Sequence, residues 1–108
     1  MKKQNTKDPR EKLWKKQVKE RGFDDRELWS LDFTISKFIL PRLQAFKKQK
    51  AGYPGHLTEK KWDNKLDKMI AAFTLLAKDP WLINSEQYNK IVYPGLKEFI
   101  KNYLSLWS

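Results

Sequence analysis

Hydrophobic positions recur at helical spacing along most of the chain, and no segment alternates as a half-buried strand would. The longest apolar pattern covers residues 24–46, where one side of a helix would carry Leu28, Leu31, Ile35, Phe38, Ile39, Leu43 and Phe46. Trp29, Phe33 and Leu40 widen this face well beyond the arc of about 100° that is usual for a surface helix. The pattern therefore predicts an all-α fold, a compact bundle of four to five helices around a central helix at about residues 25–48.

Helix start and stop signals divide the chain further. Asp8 and Gly22 bound a basic helix over residues 9–21, because an Asp accepts from the free N–H groups at a helix start and a Gly commonly ends one. Residues 1–7 have no apolar content to bury, which predicts a mobile basic tail. We expect residues 8–108 to form a single domain, with the core bundle in residues 23–107.

Proline positions predict where the helices bend or stop. Pro41 lies inside the central pattern and should kink that helix rather than end it, because the apolar face continues beyond it. A third helix begins at Thr58 and carries one clean apolar stripe. The Pro94-Gly95 pair should interrupt the last helical region. This leaves a short helix near 86–92 and a second near 96–107, whose apolar side would hold Leu96, Phe99, Ile100, Tyr103, Leu104 and Trp107.

Composition narrows the possible functions. The 108 residues include no cysteine, which excludes thiolate metal sites, cysteine nucleophiles and disulfides. The net charge is +10, and residues 1–21 carry nine Lys or Arg against three acids. Such a basic segment favours an anionic partner, either nucleic acid or an acidic protein. There is no apolar run of signal-peptide or membrane-spanning length, so we expect a soluble intracellular protein without a membrane role.

Trp14 among lysines is the strongest indication of nucleic-acid binding. An aromatic ring flanked by cations can stack a base while the lysines neutralise phosphates. The simpler interpretation is that Trp14, beside Leu13 and Val18, docks into the core. The predicted binding residues are Lys12, Trp14, Lys15, Lys16, Lys19 and Arg21, extended on the third helix by Lys61, Lys65 and Lys68.

Asp32 falls among the apolar residues of the central helix, where an unpaired carboxylate would be costly. We predict a buried polar anchor in which Asp32 is paired, for example with the indole N–H of Trp62. The alternative is one half of an acid/base pair with Asp63 or Asp67, and buried polar groups are more often satisfied structurally.

Signals for catalysis and for cofactors are otherwise weak. His56 is the single histidine, and nothing in the sequence supplies the partners that a zinc site or a nucleophilic triad would need. There is no glycine-rich phosphate loop. We therefore expect a protein that is not an enzyme and has no metal, cofactor or small-molecule substrate.

Three segments resemble a family of small proteins from bacteriophages and prophages. They are GFDDRELWSLDFTISKFILPRLQAF, GYPGHLTEKKWDNKLDKMIAAF and GLKEFIKNYLSLW, within residues 22–107. They contain W-x-L-D, P-R-L and W-D motifs and an aromatic tail ending in L-W, in the order typical of that family. The basic residues 1–21 lie outside the resemblance, and Pro94 stands where the family more often has a polar residue. The resemblance implies a phage origin and the cytoplasm of a host bacterium, and it carries no known activity.

Together these observations predict a non-catalytic, phage-encoded accessory protein. Its basic N-terminal helix would bind nucleic acid or a nucleoprotein. One alternative is an inhibitor of a host defence or regulatory protein that acts by direct contact through exposed aromatic residues such as Trp81 or Trp107. Another is a structural or assembly component of the phage. The sequence leaves the oligomeric state open.

Overall fold

A computed structural model describes residues 8–107, which form helices and turns and, within that range, no β-strand. The predicted all-α class is therefore confirmed. The predicted mobile tail, residues 1–7, lies outside the described residues. The chain forms two compact units, of which the first ends at Leu31 and the second begins at Asp32.

The first unit contains helices α1 (Glu11–Arg21) and α2 (Arg26–Trp29). Gly22 ends α1 as predicted, with a φ of 88° that a glycine adopts without strain. Asp24 and Glu27 form a pair of capping hydrogen bonds at the next turn. Asp24 Oδ1 accepts from the Arg26 N–H at 2.9 Å, and Glu27 Oε2 accepts from the Asp24 N–H at 3.2 Å.

The second unit holds the longer helices. In chain order they are α3 (Leu31–Gln49), α4 (Glu59–Leu76), α5 (Ser85–Gln87) and α6 (Tyr93–Lys101), with a π-helical turn at Tyr88–Val92 and 3₁₀ turns at Pro80–Leu82 and Tyr103–Ser105. Thr58 caps α4 as predicted, its hydroxyl accepting from the Lys61 N–H at 3.2 Å. Asn84 and Gln87 form a reciprocal capping box before the π turn.

The predicted central helix at 25–48 is wrong in two respects. It is broken at Ser30, whose φ of −135° and ψ of 70° separate α2 from α3. Its apolar surface is also not enclosed, because Ile35 and Phe38 are 45% and 58% exposed and Leu28 is 49% exposed. Only Ser36 and Leu43 of α3 are buried. The helix does continue through Pro41, as predicted.

The core instead forms around α4. Trp62, Leu66 and Met69 are almost completely buried on its narrow apolar stripe, and Phe73 lies next to them. Leu43 joins this cluster. Partly buried apolar side chains pack around it, namely Ile39, Leu40, Phe46, Leu57, Ile70, Leu76, Leu96, Phe99 and Leu106. Four buried residues on one narrow stripe, against one buried apolar residue on the wider α3, thus place α4 at the centre of the second unit.

Ion pairs connect α4 to the C-terminal end of α3 and to α6. Lys47 Nζ on α3 lies 2.6 Å from Asp67 Oδ1, and Lys50 Nζ, just after the end of α3, lies 2.9 Å from Asp63 Oδ1. On α6, Glu98 Oε1 lies 3.1 Å from Lys65 Nζ. Each pair links residues distant in sequence, and such pairs fix the positions of helices more than they stabilise the fold.

The predicted interruption at Pro94-Gly95 is also wrong, because the chain stays helical from Ser85 to Lys101. The π turn precedes Pro94, and the wider turn accommodates a residue that has no N–H and clashes with the preceding turn of an α-helix. Gly95 lies where α6 crosses α4, and a Cβ there would come within 2.4 Å of Ala72 Cβ. Gly95 therefore serves the packing of α6 against α4.

The C-terminal part of the last predicted helix differs as well. α6 ends at Lys101 rather than near residue 107. Of its predicted apolar side, Leu96 and Phe99 pack against the core. The remaining members are exposed, namely Ile100, Tyr103, Leu104 and Trp107. Within residues 8–107, none of the helices has the combination of length and apolar character needed to cross a bilayer.

Candidate functional site

The two sides of α1 differ in chemistry. Four lysines at spacings of three and four residues occupy an arc of about 100° on a helix, and we call this set the lysine stripe: Lys12, Lys15, Lys16 and Lys19. All four side chains are exposed. None of them forms an ion pair with any residue in the range 8–107. The acids of the same helix, Glu11 and Glu20, fall at the two edges of the stripe.

The opposite side of α1 is anchored. Trp14 is buried, and its ring lies edge-on to Trp29 with the centroids 6.0 Å apart. The guanidinium groups of Arg10 and Arg26 lie 5.0 Å and 4.2 Å from the Trp14 ring centroid, close enough for cation–π attraction. Two hydrogen bonds of 3.0 Å join Gln17 and Asp25. Gln17 Nε2 donates to Asp25 Oδ2, and the Asp25 backbone N–H donates to Gln17 Oε1. These contacts orient α1, so the lysine stripe faces away from them.

The arginines of the first unit are neutralised by neighbouring aspartates. Their ion pairs, each with an N···O distance of 2.8 Å, are Arg10–Asp8, Arg21–Asp25 and Arg26–Asp24. Arg21 also donates to the Phe23 carbonyl oxygen at 3.0 Å. The predicted binding residue Arg21 is therefore engaged inside the unit. The unpaired positive charge of α1 is the charge of the lysine stripe.

These pairs shift the acidity of the carboxyl groups. Hydrogen bonds from the Arg10 side chain and backbone lower the pKa of Asp8 from 3.8 to about 2. The Arg26 side chain, followed by its backbone N–H, likewise lowers the pKa of Asp24. Hydrogen bonds from Gln17 and Arg21 lower the pKa of Asp25. Each aspartate therefore stays ionised to a lower pH than an aspartate without these hydrogen bonds.

Acid should weaken the first unit, and the sign follows from linkage. A carboxyl whose pKa is lower in the folded than in the unfolded chain adds stability above its unfolded pKa and loses it as the pH falls through its folded pKa. For Asp8 that window runs from 3.8 down to about 2. The side-chain carboxyl ¹³C shift of Asp8 should titrate with a midpoint near 2, and it should move toward 3.8 in Arg10→Gln. A midpoint near 3.8 in the unaltered chain would contradict the pairing.

The predicted binding residues of the third helix, which is α4, differ in exposure and in ion pairing. Lys61 and Lys68 are exposed and unpaired in the described part of the chain. Lys65 is half-buried and forms the ion pair with Glu98, which also accepts from Asn102. It is part of the α4–α6 contact. The Lys65 ammonium is therefore not free to bind a partner.

The prediction of a buried polar anchor is wrong for Asp32. The residue is exposed, and it lies beside Leu76 and Tyr88 on an open cleft of about 440 Å³. Its predicted partner Trp62 is buried, but near the other end of α4. Asp32 lies on α3 only one residue after Leu31, where that helix begins, and a carboxylate is favoured near a helix N-terminus without any buried partner.

The alternative prediction was an acid/base pair of Asp32 with Asp63 or Asp67. Asp63 and Asp67 pair with Lys50 and Lys47, at the end of α4 away from Asp32. In residues 8–107 no group of three or more His, Asp or Glu is placed to hold a metal ion. Asp63 and Asp67 are therefore paired with lysines rather than with Asp32.

Sequence reasoning missed three residues that organise the first unit, namely Arg10, Arg26 and Trp29. Trp29 was assigned to the apolar face of a central helix, yet it is 62% exposed and packs on Trp14. The signal was present in the Asp-x-Arg spacing, which occurs at both Asp8–Arg10 and Asp24–Arg26. In both cases the aspartate accepts from the backbone and the side chain of the arginine two residues on.

Comparison with known proteins gives no match to a family model, to a curated protein or to a solved structure.

Proposed function

We propose that this protein is a non-catalytic accessory protein that binds the sugar-phosphate backbone of nucleic acid through the lysine stripe of α1. The observation that carries the proposal is the division of α1 into an anchored side and a side of four unpaired lysines. Charges already satisfied inside a protein gain little from a phosphate. Lysines without partners release counterions from the nucleic acid when they bind, and this release drives association.

The spacing of the stripe suits a regular polyanion. Lys12 and Lys19 are two helical turns apart, about 10 Å along the axis. Successive phosphates of one DNA strand rise by about 3.4 Å, so this length covers about three nucleotide steps. The exposed stems of the lysines let each ammonium adjust to a phosphate, as expected of a contact to the backbone rather than to base edges.

The same geometry argues against base stacking by Trp14. Its ring is buried against Trp29 and two guanidinium groups, which leaves no free face for a base. We therefore propose binding with little dependence on sequence. Trp14 contributes indirectly, by holding α1 so that the stripe is presented to solvent.

A matched pair of variants tests the proposal. The stripe variant changes the four stripe lysines to glutamine, which keeps helix propensity and removes four charges. The control variant makes the same change at four lysines of the second unit that are exposed, lie outside the predicted binding residues and form no ion pair in the described part of the chain: Lys37, Lys48, Lys60 and Lys78. In fluorescence anisotropy with a labelled duplex at low salt, the stripe variant should lose roughly tenfold or more in affinity. The control variant should lose much less.

Equal losses in the two variants would show that net charge alone governs binding, and the proposal would fail. It would also fail if the unaltered chain bound neither duplex DNA nor RNA at low salt. Circular dichroism of each variant checks that the helices are retained. Competition by unrelated duplexes should be nearly as strong as by the labelled one, because the stripe contacts phosphates rather than bases.

A second candidate is the inhibition of a host defence or regulatory protein by direct contact. It is favoured by the exposure of Trp81 and Trp107, both more than two-thirds accessible. Aromatic side chains of this kind are enriched where proteins bind one another. Such binding should survive moderate salt and fall when Trp81 or Trp107 is changed to alanine, the opposite of the behaviour expected for the lysine stripe.

The phage origin and the cytoplasm of the host bacterium are likewise proposals. They rest on the resemblance of residues 22–107 to small phage proteins. A role as a phage structural or assembly component would instead predict self-association in sedimentation at micromolar concentration.

A further inference from the structure

One side of α6, its inner side, packs against α4. Gly95 makes the close approach to Ala72, and the Phe99 ring lies edge-on to Phe73 with the centroids 5.2 Å apart. Glu98 turns to Lys65. Because these residues face α4, the residues on the opposite side of α6 face away from the core.

That outer side is apolar. Tyr93 and Ile100 fall on one line along the helix, and Leu104 is exposed in the 3₁₀ turn just beyond the helix end. Tyr93 is half exposed, while Ile100 and Leu104 are 73% and 87% exposed. The Lys97 ammonium lies 5.3 Å from the centroid of the Tyr93 ring, so its aliphatic stem bridges the gap in the line.

The π turn extends this surface. In an α-helix, residues five apart do not face each other. Here the Tyr93 N–H donates to the Tyr88 carbonyl oxygen across the π turn, and the two rings lie with centroids 6.2 Å apart. We define the outer stripe as Tyr88, Tyr93, Ile100 and Leu104. Its helical part, from Tyr88 to Ile100, is roughly 18 Å long, the rise of about 12 helical residues.

Charge decides what can cover the outer stripe. Lys97 and Lys101 are exposed beside it, and neither has an ion-pair partner in the part of the chain that the structure describes. The nearest acids on the same segment are engaged, Glu98 with Lys65 and Glu86 with Lys90. In a two-fold dimer through this face, the same two lysines of each copy would meet with no acid between them, and like charges at an interface are costly.

We propose that the outer stripe is a docking surface for an amphipathic helix of a partner protein that carries acidic residues beside its apolar face. The four exposed side chains of the outer stripe supply an apolar surface on which a docked helix can pack its own apolar residues, which recur at spacings of three, four and seven. Lys97 and Lys101 favour a partner helix with acidic residues beside its apolar face, because opposite charges then meet. This surface shares no residue with the lysine stripe, so the two proposals succeed or fail separately.

Two synthetic peptides of about 18 residues test the proposal. Both carry the same leucine stripe, one flanked by glutamates and one by lysines. In ¹H–¹⁵N spectra of the full chain, the glutamate peptide should shift the amides of residues 93–104 and bind at least about tenfold more tightly than the lysine peptide. Ile100→Glu should reduce that binding by about tenfold or more. Phe38→Glu, at an exposed apolar position on a different helix, α3, should leave it unchanged.

Reversing the charge gives a second readout. The double variant Lys97→Glu, Lys101→Glu should prefer the lysine peptide, because the selecting charges have changed sign. Equal affinity for the two peptides, or the absence of binding by either, would overturn the proposal. A concentration-dependent dimer in sedimentation that Ile100→Glu abolishes would overturn it too, since the occupant would then be a second copy of the chain.

Discussion

Replacing Trp62 by alanine should lower the free energy of unfolding of the second unit by about 3–5 kcal/mol, the range for a buried aromatic side chain. Trp62 is 1% exposed and belongs to the cluster that centres on α4. The cost combines the loss of apolar burial with the cavity that its neighbours cannot fill. Urea unfolding followed by circular dichroism measures the change.

Trp107 provides the matched control for Trp62. It is the same residue type in the same unit, but 77% exposed. Trp107→Ala should therefore change the free energy of unfolding by no more than about 0.5 kcal/mol. Similar losses for the two variants would mean that α4 is not the centre of the unit.

Replacing Gly95 by alanine should destabilise the same unit by about 2 kcal/mol, within the usual range for overpacking. The added Cβ would come within 2.4 Å of both Ala72 Cβ and the Lys68 carbonyl oxygen. Alanine is the better helix former by about 1 kcal/mol, so the sign of the effect decides between propensity and packing. A fall in melting temperature of roughly 10 °C would report the steric cost.

Two further variants isolate the contact at Gly95. Gly52→Ala places a Cβ where nothing lies within 4 Å, so it should be nearly neutral. Adding Ala72→Gly to Gly95→Ala should recover part of the lost stability, because one of the two close contacts disappears while the backbone contact stays. If Gly95→Ala stabilised the protein, the close crossing of α6 and α4 would be refuted.

The features that could be predicted from the sequence are those determined by neighbouring residues. Gly22 ends α1, Thr58 caps α4, and the Asp24–Glu27 spacing forms a cap. Each depends on hydrogen bonds over two to four residues. The all-α class follows from the same local periodicity and from the absence of alternating segments.

The features that could not be predicted depend on which faces acquire partners. α3 has the widest apolar arc, yet Ile35 and Phe38 stay exposed, whereas most of the narrower stripe of α4 is buried. The contact between Ala72 and Gly95 joins residues 23 positions apart, and a Pro-Gly pair in sequence reads as a turn. Nothing local indicates that a π turn absorbs Pro94 and frees Gly95 for packing.

The candidate site shows the same limit. The lysine stripe follows directly from residue spacing on α1. The engagement of Arg21 with Asp25 and of Lys65 with Glu98 requires knowledge of which acids lie close in space. Asp32 was predicted to be buried because α3 was expected to be enclosed, and both expectations fail together.

The salt dependence of nucleic-acid binding tests the central claim most directly. The slope of log K against log salt concentration falls by about 0.9 for each phosphate contact made to duplex DNA. Titrations of a labelled duplex over a range of salt concentrations, with the unaltered chain and with the stripe variant, give the two slopes. If Lys12, Lys15, Lys16 and Lys19 all bind phosphates, the slopes should differ by about 3.6, and the control variant should keep the steeper one. The same slope in the unaltered chain and the stripe variant would contradict the account.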